Sequence, residues 1–546
     1  MLGLAHCVLE LPVFSHHSDQ YRRTRIRSRQ SHGPVEESII NHLNWTPFGG
    51  YYIDLTIGTP PQVQTVLLST GSSNLYFNSI ISPTCNSSFG LLETCLGGLF
   101  NSSASTTYSE VASPPAFDVK YGGGSEVVGP IGKDTLGIGQ LTLDNVQFGL
   151  GEKLYFLVDH ISGMLGLGYI TNEDEDADKL LSPFLNMPAV MVRENLTASR
   201  LFSIALDRTD RQGSVTFGGI DSTRYTGELA TIDLLNVTQP YVGIGGQNTT
   251  AIEDFITTIT QAEYITGDDT KLLWVSGSDS ISAWDSDDPA VPVHSETAAS
   301  VTTLPQEYYD LYIAPRFPYL DSSYSCICAY ADTQDRIRLT FADKIKVEVN
   351  VKDLIRPMVN YPTVTLHQYE NGTDRCELLI RPGGSKASTM KDAYMLGGPV
   401  LESMYMVFDM DNNQISIAEA ATEVSETRNI IAVEAGPDGV AKAVASLNSS
   451  TRSSGSPPSS TATDSPHRDT LEPDSPSRIN TGVIAGAAVG GTVVLAMIGG
   501  AGYFLLRRKR KAPSKHVLPD DSSPVLGDTY AHYPKDPRFN GDPTLE

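Results

Sequence analysis

Two short patterns, each written twice at long range, constrain this chain more than any other feature. Leu67-Leu68-Ser69-Thr70-Gly71-Ser72 closes an apolar run with a turn of hydroxyl residues and glycine, and His294-Ser295-Glu296-Thr297-Ala298-Ala299 repeats the shape around an acid. Met164-Leu165-Gly166 follows the first, and Met395-Leu396-Gly397 follows the second. Repetition in this order predicts two related lobes. Between Gly49 and Ala420, short β-rich runs such as Tyr51 to Thr56, Val63 to Leu68, Phe117 to Tyr121 and Met404 to Phe408 are separated by turns rich in Gly, Pro, Asn and Ser. The expected body is all-β. With 546 residues, 40% of them apolar, the chain is too long for one core.

The flanks point to a membrane. From Gly482 to Leu506 there is no charged residue, and a helix of that length reaches roughly 37 Å, enough to cross a hydrocarbon core with some tilt. Five cations follow, Arg507 to Lys511, which places residues 507–546 in the cytosol and everything before the span outside. The expected topology is therefore single-pass and type I, with an extracellular or lumenal ectodomain. Gly482, Gly486 and Gly490, spaced four apart, would let two such helices approach, which offers a route to self-association through the membrane. Eight N-x-S/T sequons, at Asn44, Asn86, Asn101, Asn195, Asn236, Asn248, Asn371 and Asn448, agree with a secretory glycoprotein. The net charge of −25 and pI near 4.8 argue against nucleic acid as a partner.

The expected domains are a leader or pro-segment at 1–41, an N-terminal lobe at 42–200, a C-terminal lobe at 201–420, a stalk at 421–480, a spanning helix at 481–506 and a cytosolic tail at 507–546. The start of the chain lacks the cationic opening of a secretory leader, and His6 and Glu10 interrupt its apolar run. The basic cluster from Arg22 to Arg29 suits either a processing site or a solvated arm. From about Glu423 to Arg478 the chain is rich in Ser, Thr, Pro and Asp, a composition expected to form an extended, disordered stalk. Six cysteines are too few for a disulfide scaffold. Cys85 with Cys95 would close a small loop, Cys376 has Cys328 and Cys326 as candidate partners, and Cys7 belongs to the leader.

Several motifs then match one family in order. Tyr51 to Gln62 with Leu67 to Ser73, Ser162-Gly163-Met164-Leu165-Gly166-Leu167-Gly168-Tyr169, Phe217-Gly218-Gly219-Ile220-Asp221, and Met395-Leu396-Gly397-Gly398-Pro399 with Tyr405-Met406-Val407-Phe408-Asp409 resemble the pepsin-like aspartic proteases. The resemblance covers roughly residues 44–420 and is greatest to the fungal yapsin-type cell-surface branch. It implies a bilobal pepsin-like fold with an extended peptide or protein ligand in the cleft, and no cofactor or metal. Tyr121 in Tyr121-Gly122-Gly123-Gly124-Ser125 takes the place of the flap tyrosine, and Tyr76 that of the Trp that usually supports it. Thr70 and Thr297 occupy the positions that cross-link the two active-site loops, together with Gly71 and Ser72.

The resemblance fails where the chemistry sits. Ser69 stands at the first catalytic aspartate and Glu296 at the second, with Ala298 at the following glycine, Ala299 at a hydroxyl residue and Gly398 at a further aspartate. The family reaction needs one carboxylate ionised to take a proton from water while its neighbour stays protonated, a division enforced by their proximity. A serine hydroxyl does not ionise near acidic or neutral pH, and glutamate carries its carboxylate one methylene farther into the cleft. Asp285, Asp287 and Asp288 lie shortly before Glu296, but none is followed by Thr/Ser-Gly.

Other constellations carry less. Asp409, Asp411 and Asn413 mimic a calcium loop but lack its turn glycine and closing Glu, so a hairpin at Asn412-Asn413 is expected. The acidic run Glu173 to Asp178 reads as a solvated loop, and His294 as a structural or exposed histidine that would tune Glu296 if it lay close. The expected function is that of a membrane-anchored pseudoprotease. The alternatives are an active endopeptidase with a Ser/Glu dyad and a structural or signalling surface protein.

Overall fold

In a computed structural model, the described residues are 9–15 and 50–453, apart from 87–94, 96, 112–116, 122–124, 140, 156–161, 170–184, 207–211, 236–240, 243–247, 250–251, 253, 277–289, 361–364, 384–392 and 423–427. The spanning helix and tail expected at 481–546, the tripeptide Gly122 to Gly124, the acidic run at 173–178, Asp285, Asp287, Asp288 and Cys7 lie outside them. Among the described residues, no helix is long and apolar enough to cross a membrane.

The body is mostly β, punctuated by short helices such as Met187–Arg193, which Asn186 caps by accepting from Ala189 N–H. The repeated sequence patterns become a repeated structure. In the first lobe the strand Gln62–Ser69 runs parallel to Gly163–Gly166, with Ser69 opposite Gly166. In the second, Val291–Glu296 runs parallel to Tyr394–Gly397, with Glu296 opposite Gly397. Both glycines sit where a loop crosses tightly. A Cβ at Gly166 would lie 2.4 Å from Ser72 O, and one at Gly397 would lie 2.2 Å from Val301 O. No side chain fits at either position, which is why each apolar pair ends in glycine.

A thirteen-stranded sheet carries the first lobe and continues through Leu9–Ser15, Gln212–Phe217, Leu201–Ala205 and Met404–Asp409 to Gln414–Ala420 and Tyr225–Asp233. Leu9–Ser15, expected to belong to a leader or pro-segment, is a strand of this sheet, antiparallel to both Gln212–Phe217 and Tyr51–Ile57. A second sheet of six strands, one of them Asp269–Val275 paired to the side of Ile256–Thr266, holds Val291–Glu296. Alternating burial along Tyr51–Ile57 and Ile345–Asn350 feeds one large core that runs through both sheets, where separate cores were expected, and contains Ile57, Leu68, Phe148, Phe202, Phe341 and Phe408.

The stalk expected from residue 421 is corrected in part. Ile430–Ala432 pairs antiparallel with Gly219–Asp221, and Gly439–Ser453 forms a helix. Val433, Val440 and Ala443 are buried against Leu201, Ile220, Tyr405 and Ala418 in a second, smaller core. Composition hid this because the helix needs only one narrow apolar stripe on an otherwise polar sequence. The buried Asp221 fastens the segment by accepting from Asn429 N–H at 3.2 Å, and it pairs with Arg428 at 3.3 Å. A chain ending at Ala420 is expected to be less stable than one ending at Ser453 by about 3 kcal/mol or more, since two buried valines alone contribute about that much. Thermal unfolding of the two lengths measures the difference, and equal midpoints would mean that the helix adds nothing to the body.

The bridges Cys85–Cys95 and Cys328–Cys376 are formed, and Cys326 is free and buried. Asp409 closes the expected hairpin by accepting from Asn412 N–H and Nδ2, at 3.1 and 2.7 Å, and Asn413 takes φ 53°.

Candidate functional site

Parallel pairing delivers the two strand ends to one place. Ser69 and Glu296 face each other across the lobes, and the Ser69 hydroxyl lies 3.2 Å from both carboxylate oxygens of Glu296. Ser69 Oγ also accepts from Ser72 N–H at 3.1 Å, so its remaining hydrogen is directed at the carboxylate. The Ser72 hydroxyl turns away and accepts from Asn74 N–H. On the other side, Ala298 N–H donates to Glu296 Oε1 at 2.7 Å. Neither Ala298 nor Ala299 lies at positive φ. The methyl groups of Ala298 and Ala299 therefore force no left-handed backbone at this turn.

The extra methylene of Glu296 has a visible consequence. It carries the carboxylate against the first lobe, where a Cβ at Gly71 would come 2.0 Å from Glu296 Oε2 and 2.8 Å from His294 Cε1. Gly71 is thus required by close approach of the opposite lobe.

Beneath this contact the loops are cross-linked as expected. Thr70 Oγ1 donates to Ser295 O at 2.6 Å and accepts from Thr297 N–H at 3.1 Å, while Thr297 Oγ1 donates to Leu68 O at 2.7 Å. Both threonines are fully buried. Replacing either by valine keeps the shape and strands buried backbone groups, so each variant is expected to lose about 1–3 kcal/mol. Urea unfolding measures the loss, and a double-mutant cycle should show that the two threonines are coupled.

His294 shares a half-buried face of its strand with Glu296, two residues on, and its Nδ1 lies 3.0 Å from Asp254 Oδ2. The other Asp254 oxygen accepts from Phe255 N–H at 2.7 Å, which holds the carboxylate in place. Burial disfavours the imidazolium, but Asp254 and then Glu296 outweigh it and push the imidazole up to about 9. Burial also raises the Glu296 carboxyl above its usual range, with a further push from Asp254, while His294, Ala298 N–H and Ser69 act in the opposite direction. Asp254 was not legible beforehand. It belongs to no motif, and only pairing of Ile256–Thr266 with Val291–Glu296 brings it to His294.

The hairpin of Phe117–Tyr121 and Ser125–Gly129 stands beside Tyr76. The Tyr76 ring lies 6.1 Å from Tyr121 and 5.9 Å from Phe117, and its hydroxyl donates to Ser162 O at 3.1 Å. Burial raises the Tyr76 phenol. The side chain is therefore a neutral hydrogen-bonded prop.

Gly398 also has a local reason. A Cβ there would lie 2.6 Å from Tyr51 Cε2, and the Tyr51 hydroxyl donates to the buried carboxylate of Glu402. Tyrosine occupies the space that a side chain at 398 would take.

Comparison with known proteins agrees with this geometry. The eukaryotic aspartyl protease family pattern matches residues 50–420. A protein named probable aspartic-type endopeptidase opsB from Aspergillus fumigatus is 29% identical over 400 residues, covering 72% of this chain and 73% of its own length. Its namesake from Aspergillus oryzae is 29% identical over 428 residues, covering 77% of each. Gastricsin of Macaca fuscata fuscata is 30% identical over 380 residues, covering 68% of this chain and 84% of its own.

Proposed function

This chain belongs to the eukaryotic aspartyl protease family, and we propose that within it the chain is a pseudoprotease that holds extended peptides without cutting them by the paired-carboxylate route. The observation that carries the reading is the Ser69 hydroxyl against Glu296. A site with one carboxylate and one hydroxyl cannot divide a proton between two acids, so the proton-sharing pair of the family reaction is missing. The threonine cross-links and the Tyr76 prop beside the hairpin are nevertheless kept, and these position a ligand rather than perform chemistry. Strand-like main-chain hydrogen bonds are the natural mode for an extended peptide.

The test uses the chain shortened after Pro457, so that the helix Gly439–Ser453 is retained. A degenerate peptide library is incubated with it from pH 3 to 7 beside the Glu296→Gln variant. The expected result is peptide binding with no cleavage that depends on Glu296. Cleavage abolished by Glu296→Gln would overturn the proposal and favour the second reading, an endopeptidase in which Glu296 works alone. The raised Glu296 carboxyl supports that second reading, because a poised acid can still act as a general base.

We further propose a type I membrane setting, with residues 481–506 as the span, an N-glycosylated ectodomain and a cytosolic tail. This reading rests on the uncharged run and the cations that follow it. Removing 481–546 should release the body into the medium, and its retention by cells would argue against the anchor.

A further inference from the structure

Three cysteines meet on one small sheet of the second lobe, and only two of them are bonded. The strand Ser325–Ile327 pairs antiparallel with Arg375–Leu378, and the register sets Cys326 directly opposite Cys376. Directly opposed residues project to the same face, with Cα atoms about 4.5–5.5 Å apart, inside the span that a disulfide bridges. Yet Cys376 is bonded to Cys328, whose Cα lies 4.9 Å away. Cys328 follows Cys326 by two residues and opens the short 3-10 turn Cys328–Asp332. Cys326 and Cys376 are both buried, whereas Cys328 is half-buried at the margin of the sheet.

From this placement we infer that the bridge is exchangeable: Cys326 can displace Cys328 from Cys376, moving the free thiol from a buried position to an accessible one and so creating a modification site at Cys328. The step balances without an external oxidant. The Cys326 thiolate attacks Cys376 Sγ, the Cys326–Cys376 bond forms, the Cys328–Cys376 bond breaks, and its electron pair leaves on Cys328 Sγ, which takes up the proton that Cys326 lost. The number of disulfides and free thiols is unchanged. Burial, with Asp321 and Glu377 nearby, pushes the Cys326 thiol up to about 12, so the attacking thiolate is scarce and the exchange is slow. The thiol uncovered at Cys328 would take an alkylating reagent or a small thiol-bearing molecule through a mixed disulfide.

The experiment maps thiols in the folded, oxidised full-length protein. N-ethylmaleimide is present throughout the incubation, and proteolysis under non-reducing conditions then identifies the labelled and cross-linked peptides, with the Cys7 peptide scored separately. The expected result is label accumulating on Cys328 together with a Cys326–Cys376 cross-linked peptide. Label confined to Cys326, or a Cys328–Cys376 bridge that persists unchanged at long incubation, overturns the inference. Cys326→Ser should abolish labelling of Cys328, and labelling that survives in it would point to simple reduction and also overturn the inference. Cys328→Ser should fold with Cys326 joined to Cys376. Finding both thiols free in that folded variant would show that the register does not permit the bond. Should that variant fail to fold, the mapping of the natural sequence decides alone.

Discussion

Putting aspartate at both strand ends, Ser69→Asp with Glu296→Asp, is expected to raise peptide cleavage at least about a hundredfold over the natural sequence, since positioned acid–base groups contribute about 10²–10⁴. The two strand ends already meet across the lobes, and the frame that holds them, built by Thr70 and Thr297, is intact. Shortening Glu296 draws the carboxylate back from Gly71, where Oε2 is in closest approach to the first lobe. Ala298 N–H, a backbone donor, stays available to orient the shorter acid. A second carboxylate in place of the Ser69 hydroxyl would then share a proton with the first and yield a bell-shaped pH profile in the acid range. Rates on a fluorogenic peptide across pH 3 to 7 are the measurement. An unchanged rate in a folded double variant would show that the inactivity proposed for this chain arises elsewhere, with Ala299, which lacks a hydroxyl, the next position to restore.

The second large effect concerns pH. His294 has its folded value raised to about 9 against an ordinary 6.5, so the stability it contributes is fully present below pH 6.5 and is lost as pH rises through 9. A shift of that size corresponds to something on the order of 3 kcal/mol. Glu296 is also raised, and therefore favours the folded state at low pH and loses that contribution as pH climbs above the ordinary carboxyl range. Both groups act in the same direction, and the protein is expected to unfold more readily at pH 8.5 than at pH 6. The Asp254–His294 pair lies beside Glu296, and His294→Gln removes its cation, leaving Asp254 and Glu296 as neighbouring acids. The variant should be destabilised at pH 6 and should lose most of the decline between pH 6.5 and 8.5. Urea unfolding at a series of pH values reads both effects. A decline of the same size in the variant would place its origin outside this histidine.

Much of the site was legible because it lies within motifs. Ser69, Thr70, Gly71, Glu296 and Thr297 are contiguous with strands whose apolar runs announce them, and pairing of each strand end with Gly166 or Gly397 was foreshadowed by the repeated Met-Leu-Gly. The Cys376 partner was not legible, because Cys326 and Cys328 stand two residues apart and offer the same spacing. The 3-10 turn at Cys328, rather than distance along the chain, accompanies the bridge that forms. The helix Gly439–Ser453 did have a signal, Val440 with Ala443 and Val444 on one face, but the surrounding Ser and Thr obscured it.

By itself, then, the amino-acid sequence determined the mostly β body and the identity of the residues at its two key turns. Alternating and repeated apolar patterns are local, and local patterns select strand faces and glycine turns. Tertiary structure alone decided what those residues face. It set Glu296 against Gly71, Asp254 under His294, Tyr51 over Gly398 and Cys326 across from Cys376. Each of these pairs joins segments far apart in sequence, and its energetics come from desolvation and close packing, which exist only once the separate strands have been brought together.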